Sequence, residues 1–280
     1  MNILEAINEA TEKLKKNYIS TAKLDSEILL SKVIRKERKY IILNSHKKLK
    51  KEYFVKFNKL VAKRSLGKPI AHLTGKKDFW KYEFYVSEAT LIPRPDTEIL
   101  IDYIVKNTKQ KSKLKVLDIG TGSGCILLSI LKEKKDFYGT GIDISKKCIE
   151  ISKINASKLN ISSRVKFFKS NVDNFFYGKY DLIISNPPYI KKLDLKYLER
   201  DVIDFEPKLA LDGGFDGISE IRKVINRSSK LIKKNGKLIL EIGFDHKYKV
   251  KKLLKDKGFY INKVLRDYAN NDRCIVSTKI

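Results

Sequence analysis

From Leu114 onward the sequence switches repeatedly between short apolar runs and stretches with helical spacing, and that alternation leaves few architectures open. The runs at 115–119, 138–142, 165–169, 182–185, 237–242, 259–265 and 274–277 have the length and composition of buried strands. Helical patterns at 125–134, 146–158, 217–233 and 246–257 separate most of them. Strand and helix in alternation build βαβ units around a parallel sheet covered on both faces. Between the last two runs Asp267-Tyr268-Ala269-Asn270-Asn271-Asp272 is turn-like and too short for a helix, so those strands are expected to pair antiparallel. The expected fold is α/β: a doubly wound, mainly parallel, seven-stranded sheet.

Upstream the pattern differs. Ile3, Ala6, Ile7, Ala10 and Leu14, then Ala22, Ile28, Leu29 and Val33, recur at three- and four-residue steps, which predicts a small helical domain over residues 1–73. Asn2 before Glu5, and Asp25 before Ile28, are candidate helix caps. Gly67 and Pro69 break the pattern, and the aromatic, β-prone run from Phe79 to Val86 reads as a hairpin. The expected organisation is a helical domain at 1–73, a β-hairpin linker at 74–92 and a sheet domain at 93–280.

A chain of 280 residues with 42% hydrophobic content can support one large core and a smaller one. No apolar stretch approaches the roughly 20 residues that span a bilayer, and the first residues lack the order of a signal peptide. A cytoplasmic chain without membrane contact is expected. Cys125, Cys148 and Cys274 form no Cys-x-x-Cys pair, so neither a disulfide framework nor a metal site is encoded, and all three are expected to be small buried residues. The formal charge of +27 invites a polyanionic partner, but the lysines are spread over the whole length. They are read as solvated faces, with no dedicated nucleic-acid site.

Two segments carry chemistry. Asp118-Ile119-Gly120-Thr121-Gly122-Ser123-Gly124 follows a predicted strand and opens a helix, so a ligand would lie at the carboxyl edge of the sheet. The third glycine arrives one residue too early for the dinucleotide fingerprint, and Asp118 would repel a pyrophosphate. A carboxylate there suits the ammonium group of a methionine moiety. Asp143 ends the next strand 23 residues after Gly120, near the spacing of roughly 20 at which an acidic residue meets ribose hydroxyls. Alone, an Asp at a strand end is more often a helix cap, but with the glycine loop in front ribose binding is the favoured reading. At the end of the third strand Asn171, followed by Val172, could meet an adenine amino group or cap a loop.

The second segment, Asn186-Pro187-Pro188-Tyr189, leaves the fourth strand as a stiff turn, because two prolines fix φ and supply no N–H. Methylation of a planar amide or aromatic amine needs such a place. The nitrogen lone pair is delocalised, and two acceptors on its NH₂ group, the Asn186 side-chain oxygen and the Pro187 carbonyl, would orient it and support the developing charge. Tyr189 would supply a flat wall. No general base is required, and His46, His72 and His246 receive no role.

With both segments in view the sequence resembles the bacterial release-factor glutamine methyltransferases, the HemK/PrmC family. The resemblance covers essentially the whole chain, through Leu24-Asp25-Ser26-Glu27-Ile28-Leu29-Leu30, the segment from Gly67 to Gly75, Pro93-Arg94-Pro95-Asp96-Thr97-Glu98, Phe205-Glu206-Pro207 and the late Asp267 to Arg273. Asn-Pro-Pro-Tyr alone is shared with adenine-N6 DNA methyltransferases; the run from Pro93 to Glu98 resembles the release-factor branch. The resemblance implies a class I, Rossmann-like methyltransferase domain and S-adenosyl-L-methionine as cofactor. It also implies the Gly-Gly-Gln glutamine of peptide-chain release factors as substrate, held with help from the helical domain of a monomer. Cofactor contacts would come from Asp118, Gly120, Thr121, Gly122, Ser123, Gly124, Asp143, Asn171, Val172 and Asn186. Asn186, Pro187, Pro188 and Tyr189 would hold the substrate amide and form the catalytic segment. In the family the third strand usually ends in an acidic residue and a bulky apolar one, where this chain has Asn171-Val172. Two other readings share some of these features: a nucleic-acid adenine methyltransferase, which would need a base-flipping recognition domain, and a non-catalytic RNA-binding protein on a degenerate methyltransferase fold.

Overall fold

The computed structural model describes residues 1–109 and 113–280. Its contacts divide the chain into two compact units, Met1–Lys76 with Glu199–Phe205, and Lys77–Leu198 with Glu206–Ile280.

The first unit is helical, with α1 (Ile3–Lys16), α2 (Ala22–Ile34), α3 (Arg38–Leu43), α4 (Lys51–Ser65) and α5 (Ile70–Thr74). A reciprocal capping box opens α1: Asn2 Oδ1 accepts from the Glu5 N–H at 2.9 Å, and Glu5 Oε2 accepts from the Asn2 N–H at 2.8 Å. Leu14, Leu29, Leu30, Ile41 and Phe57 fill the core. Asp25 is not a cap. It lies one turn inside α2, buried at 2% exposure, and accepts from Arg64 Nε of α4 at 2.7 Å. Burial without that guanidinium would leave an uncompensated charge.

The second unit opens at Lys77 inside β1 (Lys76–Phe79), which pairs with β2 (Tyr82–Tyr85) in a two-stranded ribbon whose Phe79 and Phe84 are buried in the core of this unit. In order follow α6 (Glu98–Asn107), β3 (Lys115–Ile119), α7 (Cys125–Glu133), β4 (Tyr138–Asp143), α8 (Lys146–Lys158), β5 (Val165–Lys169) and β6 (Tyr180–Ser185). The short α9 (Arg200–Phe205), which counts with the helical unit, precedes α10 (Ser219–Leu231), β7 (Ile232–Glu241), α11 (Lys247–Asp256), β8 (Phe259–Arg266) and β9 (Asp272–Lys279).

The seven strands run in the order β5-β4-β3-β6-β7-β9-β8, parallel from β5 to β7 and antiparallel at β9 and β8. Alternate side chains feed two cores. Val116, Leu182 and Ile239 pack with α6, α7 and α8; Leu117, Ile183 and Leu240 pack with α10 and α11. Strands buried on both faces explain why the sequence shows nearly continuous apolar runs. The strand order reverses at β3, which leaves a crevice outside the carboxyl ends of β3, β4 and β6. Cys148 and Cys274 are buried, whereas Cys125 is half-buried, and all three are free thiols. No helix among the described residues is long and apolar enough to cross a membrane.

Candidate active site

The register of the sheet brings the two chemical segments together. Ile119 of β3 pairs with Ser185 of β6, and Ser185 Oγ donates to the Ile119 carbonyl at 2.7 Å. Gly120 and Asn186 therefore leave the sheet side by side, although 66 residues of chain separate Ser185 from Ile119.

On the β3 side the backbone itself forms the loop. The N–H groups of Gly120 and Thr121 both donate to the Ile142 carbonyl near the end of β4, at 2.9 and 3.0 Å. Gly120 and Gly122 adopt φ of +75° and +55°, and a Cβ on either would meet nothing within 4 Å. The space over these two residues is an open cradle, and their conformation keeps side chains out of it. Ser123 is buried, its carbonyl accepting from Asn155 Nδ2 at 2.9 Å, and Gly124 starts α7.

Two carboxyls flank the cradle. Asp118 is 1% exposed; Oδ2 accepts from Thr121 Oγ1 at 2.7 Å, while Oδ1 has no partner among the described residues. Burial pushes its pKa up to about 7, and the nearby Asp143 adds to the shift against the opposing Thr121 hydroxyl. Asp143 accepts from the Gly122 N–H at 2.9 Å through Oδ2 and from the Ser145 N–H at 2.8 Å through Oδ1. The cap of α8 is Ser145, whose hydroxyl accepts from the Cys148 N–H at 3.3 Å. Asp143 thus ties the glycine loop to the end of β4, and its carboxyl, raised by burial, keeps further acceptor capacity on both oxygens. Asn171 is exposed, and its Oδ1 accepts from the Asp173 N–H at 3.1 Å. Of the two uses open to it, the structure displays the loop cap. Val172 is half-buried against the α10 side of the sheet.

On the β6 side Asn186 is half-buried and its Nδ2 donates to Thr97 Oγ1 at 3.2 Å. Among the described residues its Oδ1 accepts no hydrogen bond, and neither does the Pro187 carbonyl. Two unused acceptors stand at the start of the turn. Beyond it the chain is laced in place: the Ile190 N–H donates to the Leu211 carbonyl at 3.1 Å and the Gly213 N–H to the Ile190 carbonyl at 2.8 Å. At Gly213 a Cβ would come within 2.7 Å of Tyr189 Cα, so a side chain there would push the motif aside.

Behind Tyr189 lies a polar cluster that the sequence did not single out as a site. The Tyr189 hydroxyl donates to Glu241 Oε1 at 3.3 Å and accepts from Arg273 Nη1 at 3.4 Å. Glu241 ends β7 at 1% exposure, with Oε2 unpartnered among the described residues. Arg273 is itself clasped by Asp267, which accepts from Nη2 at 2.7 Å, with Asp96 at 3.5 Å. Thr97 and Arg273 fall in segments that carried the family resemblance. Glu241 had a signal of its own, a carboxylate inside the apolar run Leu238-Ile239-Leu240-Glu241-Ile242. His246, distant from the motif in sequence, is buried against it in space: a Cβ on Gly217 would lie 2.8 Å from both His246 Cε1 and the Tyr189 carbonyl oxygen.

A reversed-order parallel sheet closed by an antiparallel hairpin, with a glycine cradle beside an Asn-Pro-Pro-Tyr turn, is the class I methyltransferase architecture. Residues 95–208 match the methyltransferase small domain, and residues 5–75 match the PrmC N-terminal domain. A solved structure of a ribosomal protein L11 methylase from Lactobacillus delbrueckii subsp. bulgaricus shares the fold, with TM-score 0.51 and 19% identity over 67% of this chain and 81% of that one. The chain belongs to the release factor glutamine methyltransferase family. It is 37% identical to the release factor glutamine methyltransferase of Buchnera aphidicola subsp. Acyrthosiphon pisum, over 100% of this chain and 99% of that one. With the enzyme of the same name from Clostridium acetobutylicum it shares 36% identity, over 100% of this chain and 99% of that one.

Proposed function

We propose that this protein transfers a methyl group from S-adenosyl-L-methionine to the side-chain amide nitrogen of the glutamine in the Gly-Gly-Gln motif of peptide-chain release factors. The observation that carries this reading is the pair of unused acceptors, Asn186 Oδ1 and the Pro187 carbonyl, placed by the Ile119–Ser185 pairing next to an open glycine cradle. Membership of the family supplies the substrate class.

The residues present fit the cofactor. Asp118 Oδ1, buried and unpartnered, is the kind of atom an ammonium group satisfies, and the space over Gly120 and Gly122 admits a ligand against bare backbone. Asp118 would hold the amino end, with Thr121, Ser123 and Gly124 shaping the loop. Asp143 would hold the ribose hydroxyls, and Asn171 and Val172 would border the adenine. When bound, S-adenosylmethionine supplies a methyl group activated by a positively charged sulfur.

The chain's own residues do the rest. Asn186 Oδ1 and the Pro187 carbonyl each accept one hydrogen of the glutamine NH₂ group, which turns the nitrogen to the methyl donor. They also concentrate negative potential where positive charge develops. Pro187 and Pro188 hold that geometry without backbone freedom. Tyr189, pinned at its hydroxyl, walls the amide plane. Once methylated the nitrogen is strongly acidic, and its proton leaves without a dedicated base.

The helical domain at 1–73 serves substrate recognition, residues 74–92 link it to the methyltransferase domain at 93–280, and the enzyme works as a cytoplasmic monomer with no dedicated nucleic-acid site. The test is mass spectrometry of a recombinant release factor incubated with the protein and S-adenosylmethionine. One added methyl on the Gly-Gly-Gln peptide is expected. An unmodified peptide, or methyl transfer to adenine in DNA instead, would overturn the reading.

A further inference from the structure

The geometry points to Thr97 and Glu241 as positioning residues that decide which end of the Asn186 amide faces the substrate. This rests on the amide-holding role assigned to Asn186 above. An asparagine side chain has nearly the same shape with its oxygen and nitrogen exchanged, so shape does not select one orientation. The reaction does select: with Nδ2 turned outward, a donor would face the donor NH₂ group of the glutamine, and the second acceptor would be lost. What fixes the outward end is the partner of the inward end.

That partner is the Thr97 hydroxyl, which accepts from Asn186 Nδ2 at 3.2 Å. A hydroxyl is ambivalent, able to accept from Nδ2 or to donate to Oδ1. Thr97 alone would therefore tolerate either orientation, and the choice passes to whatever takes the hydroxyl proton. The group beside Thr97 is the buried Glu241 carboxyl, whose Oε2 has no hydrogen-bond partner among the described residues. Ionised, that carboxylate can only accept, so a hydrogen bond from the Thr97 hydroxyl to the free Oε2 would leave the Thr97 lone pairs for Asn186 Nδ2. Protonated, it can donate to Thr97, which frees the threonine proton to point at Asn186 Oδ1 and draws the amide round.

The surroundings of the carboxyl come from every side of this corner. The Tyr189 hydroxyl donates to Oε1 at 3.3 Å, and Arg273 of β9 reaches that hydroxyl at 3.4 Å. Asp96 lies beyond Thr97, and the thiols of Cys125 and Cys274 also feel the charge on Glu241. Burial pushes the carboxyl up to about 7, the Thr97 and Tyr189 hydroxyls and Arg273 oppose the shift, and Asp96 adds to it. A carboxyl held that high would change charge near neutrality, and the free Oε2 beside the Thr97 hydroxyl is the place where that change would reach Asn186.

Three variants test this in the full chain: Thr97→Val, which keeps shape and removes the hydroxyl; Thr97→Ser, which restores it; and Glu241→Gln. Loss of the partner that orients a metal ligand typically costs about 10–100-fold, and a loss of the same order is expected for a partner that orients Asn186. Thr97→Val should lower kcat by that factor while KM for the release factor and Kd for S-adenosylmethionine stay within about twofold. Thr97→Ser should recover most of the loss, which a purely packing role would not predict. Wild-type kcat should rise with pH along a single ionisation near neutrality, and Glu241→Gln should flatten that rise. A measurement without substrate separates this inference from the proposed function. The Asn186 side-chain NH₂ signals in a ¹⁵N–¹H spectrum, identified by their loss in Asn186→Ala, should shift with pH in the wild type and stay fixed in Glu241→Gln. If the wild type leaves release factor unmethylated, the proposed function fails and these signals still decide the orientation. Wild-type kcat in Thr97→Val, or Asn186 NH₂ signals that ignore pH, would overturn it.

Discussion

The two halves of the candidate active site are built in opposite ways. The glycine-loop half is local: Thr121 bonds Asp118 three residues away, and Gly122 bonds Asp143 across 21 residues, the length of one βαβ step. In the amide half the side-chain contacts are remote, 89 residues from Asn186 to Thr97, 52 from Tyr189 to Glu241 and 84 from Tyr189 to Arg273. One half is a motif and the other is an assembly. Cofactor binding should therefore survive damage that abolishes transfer, and substitutions in the two halves should separate Kd from kcat.

The largest expected effect is on the amide side. Asn186→Ala should lower kcat by about 10²–10³, the scale seen when a preorganised polar group at a developing charge is removed, with a smaller change in cofactor affinity. Asn186→Asp keeps an acceptor oxygen and should retain some activity. Single-turnover methyl transfer with both variants measures this. A near-wild-type rate for Asn186→Ala would break the comparison at its root.

On the cofactor side the expected losses are in binding. Asp143→Ala should weaken S-adenosylmethionine by about 1–3 kcal/mol, the usual cost of losing charge-assisted hydrogen bonds, and leave kcat at saturating cofactor nearly intact. Calorimetry reads it directly, and an unchanged Kd would remove Asp143 from the ribose site.

Asp118 sharpens the contrast through stability. Its folded pKa, pushed up to about 7, lies above the unfolded value, so the folded state holds a proton that the unfolded chain has already lost. The contribution to stability is complete below the unfolded carboxyl range, and it is lost as pH rises from about 4 to about 7. Asp118→Asn should escape that loss. Its cofactor-free form should match the parent near pH 4 and be more stable at pH 8 by on the order of 1–3 kcal/mol, while binding S-adenosylmethionine more weakly. Thermal unfolding at the two pH values checks it. A variant less stable than its parent at pH 8 would contradict the picture of a buried carboxyl kept for its ligand.

The smallest effect concerns the lysine surface. Exposed charges are screened beyond roughly 8–10 Å at physiological ionic strength, so added salt should raise KM for the release factor and spare kcat. A steep fall of kcat at saturating substrate would instead place charged groups within the reacting complex.

The same local and remote division explains what the sequence disclosed. All seven strands of the main sheet are legible because each is a short apolar-rich run bounded by turn residues, and the two motifs follow from their places at strand ends. The start of β7 is not: Lys233-Lys234-Asn235-Gly236 reads as a polar turn, with Asn235 at φ +62°, yet it extends the strand back to Ile232, which pairs with Tyr180. Helix α6 is masked in the sequence by the prolines that precede it, although Leu100, Ile101 and Ile104 have helical spacing. Asp25 looked like a cap because its partner Arg64 is 39 residues away. Thr97 and Glu241 escaped for the same reason. A hydroxyl before a helix and a carboxylate at a strand end acquire meaning only when the sheet sets them against Asn186 and Tyr189.

The position of β9 has a consequence for the birth of the enzyme. A ribosome makes β9 after both of its neighbours, yet β9 lies between β7 and β8. Until it emerges, two strands wait with facing edges unpaired, a state open to wrong partners and to chaperones. Arg273 arrives with that same strand, and with it the hold on Tyr189. A nascent chain short of β9 already carries the glycine loop but lacks the clasp on Tyr189, so the proposed amide site would be completed only when this strand takes its place.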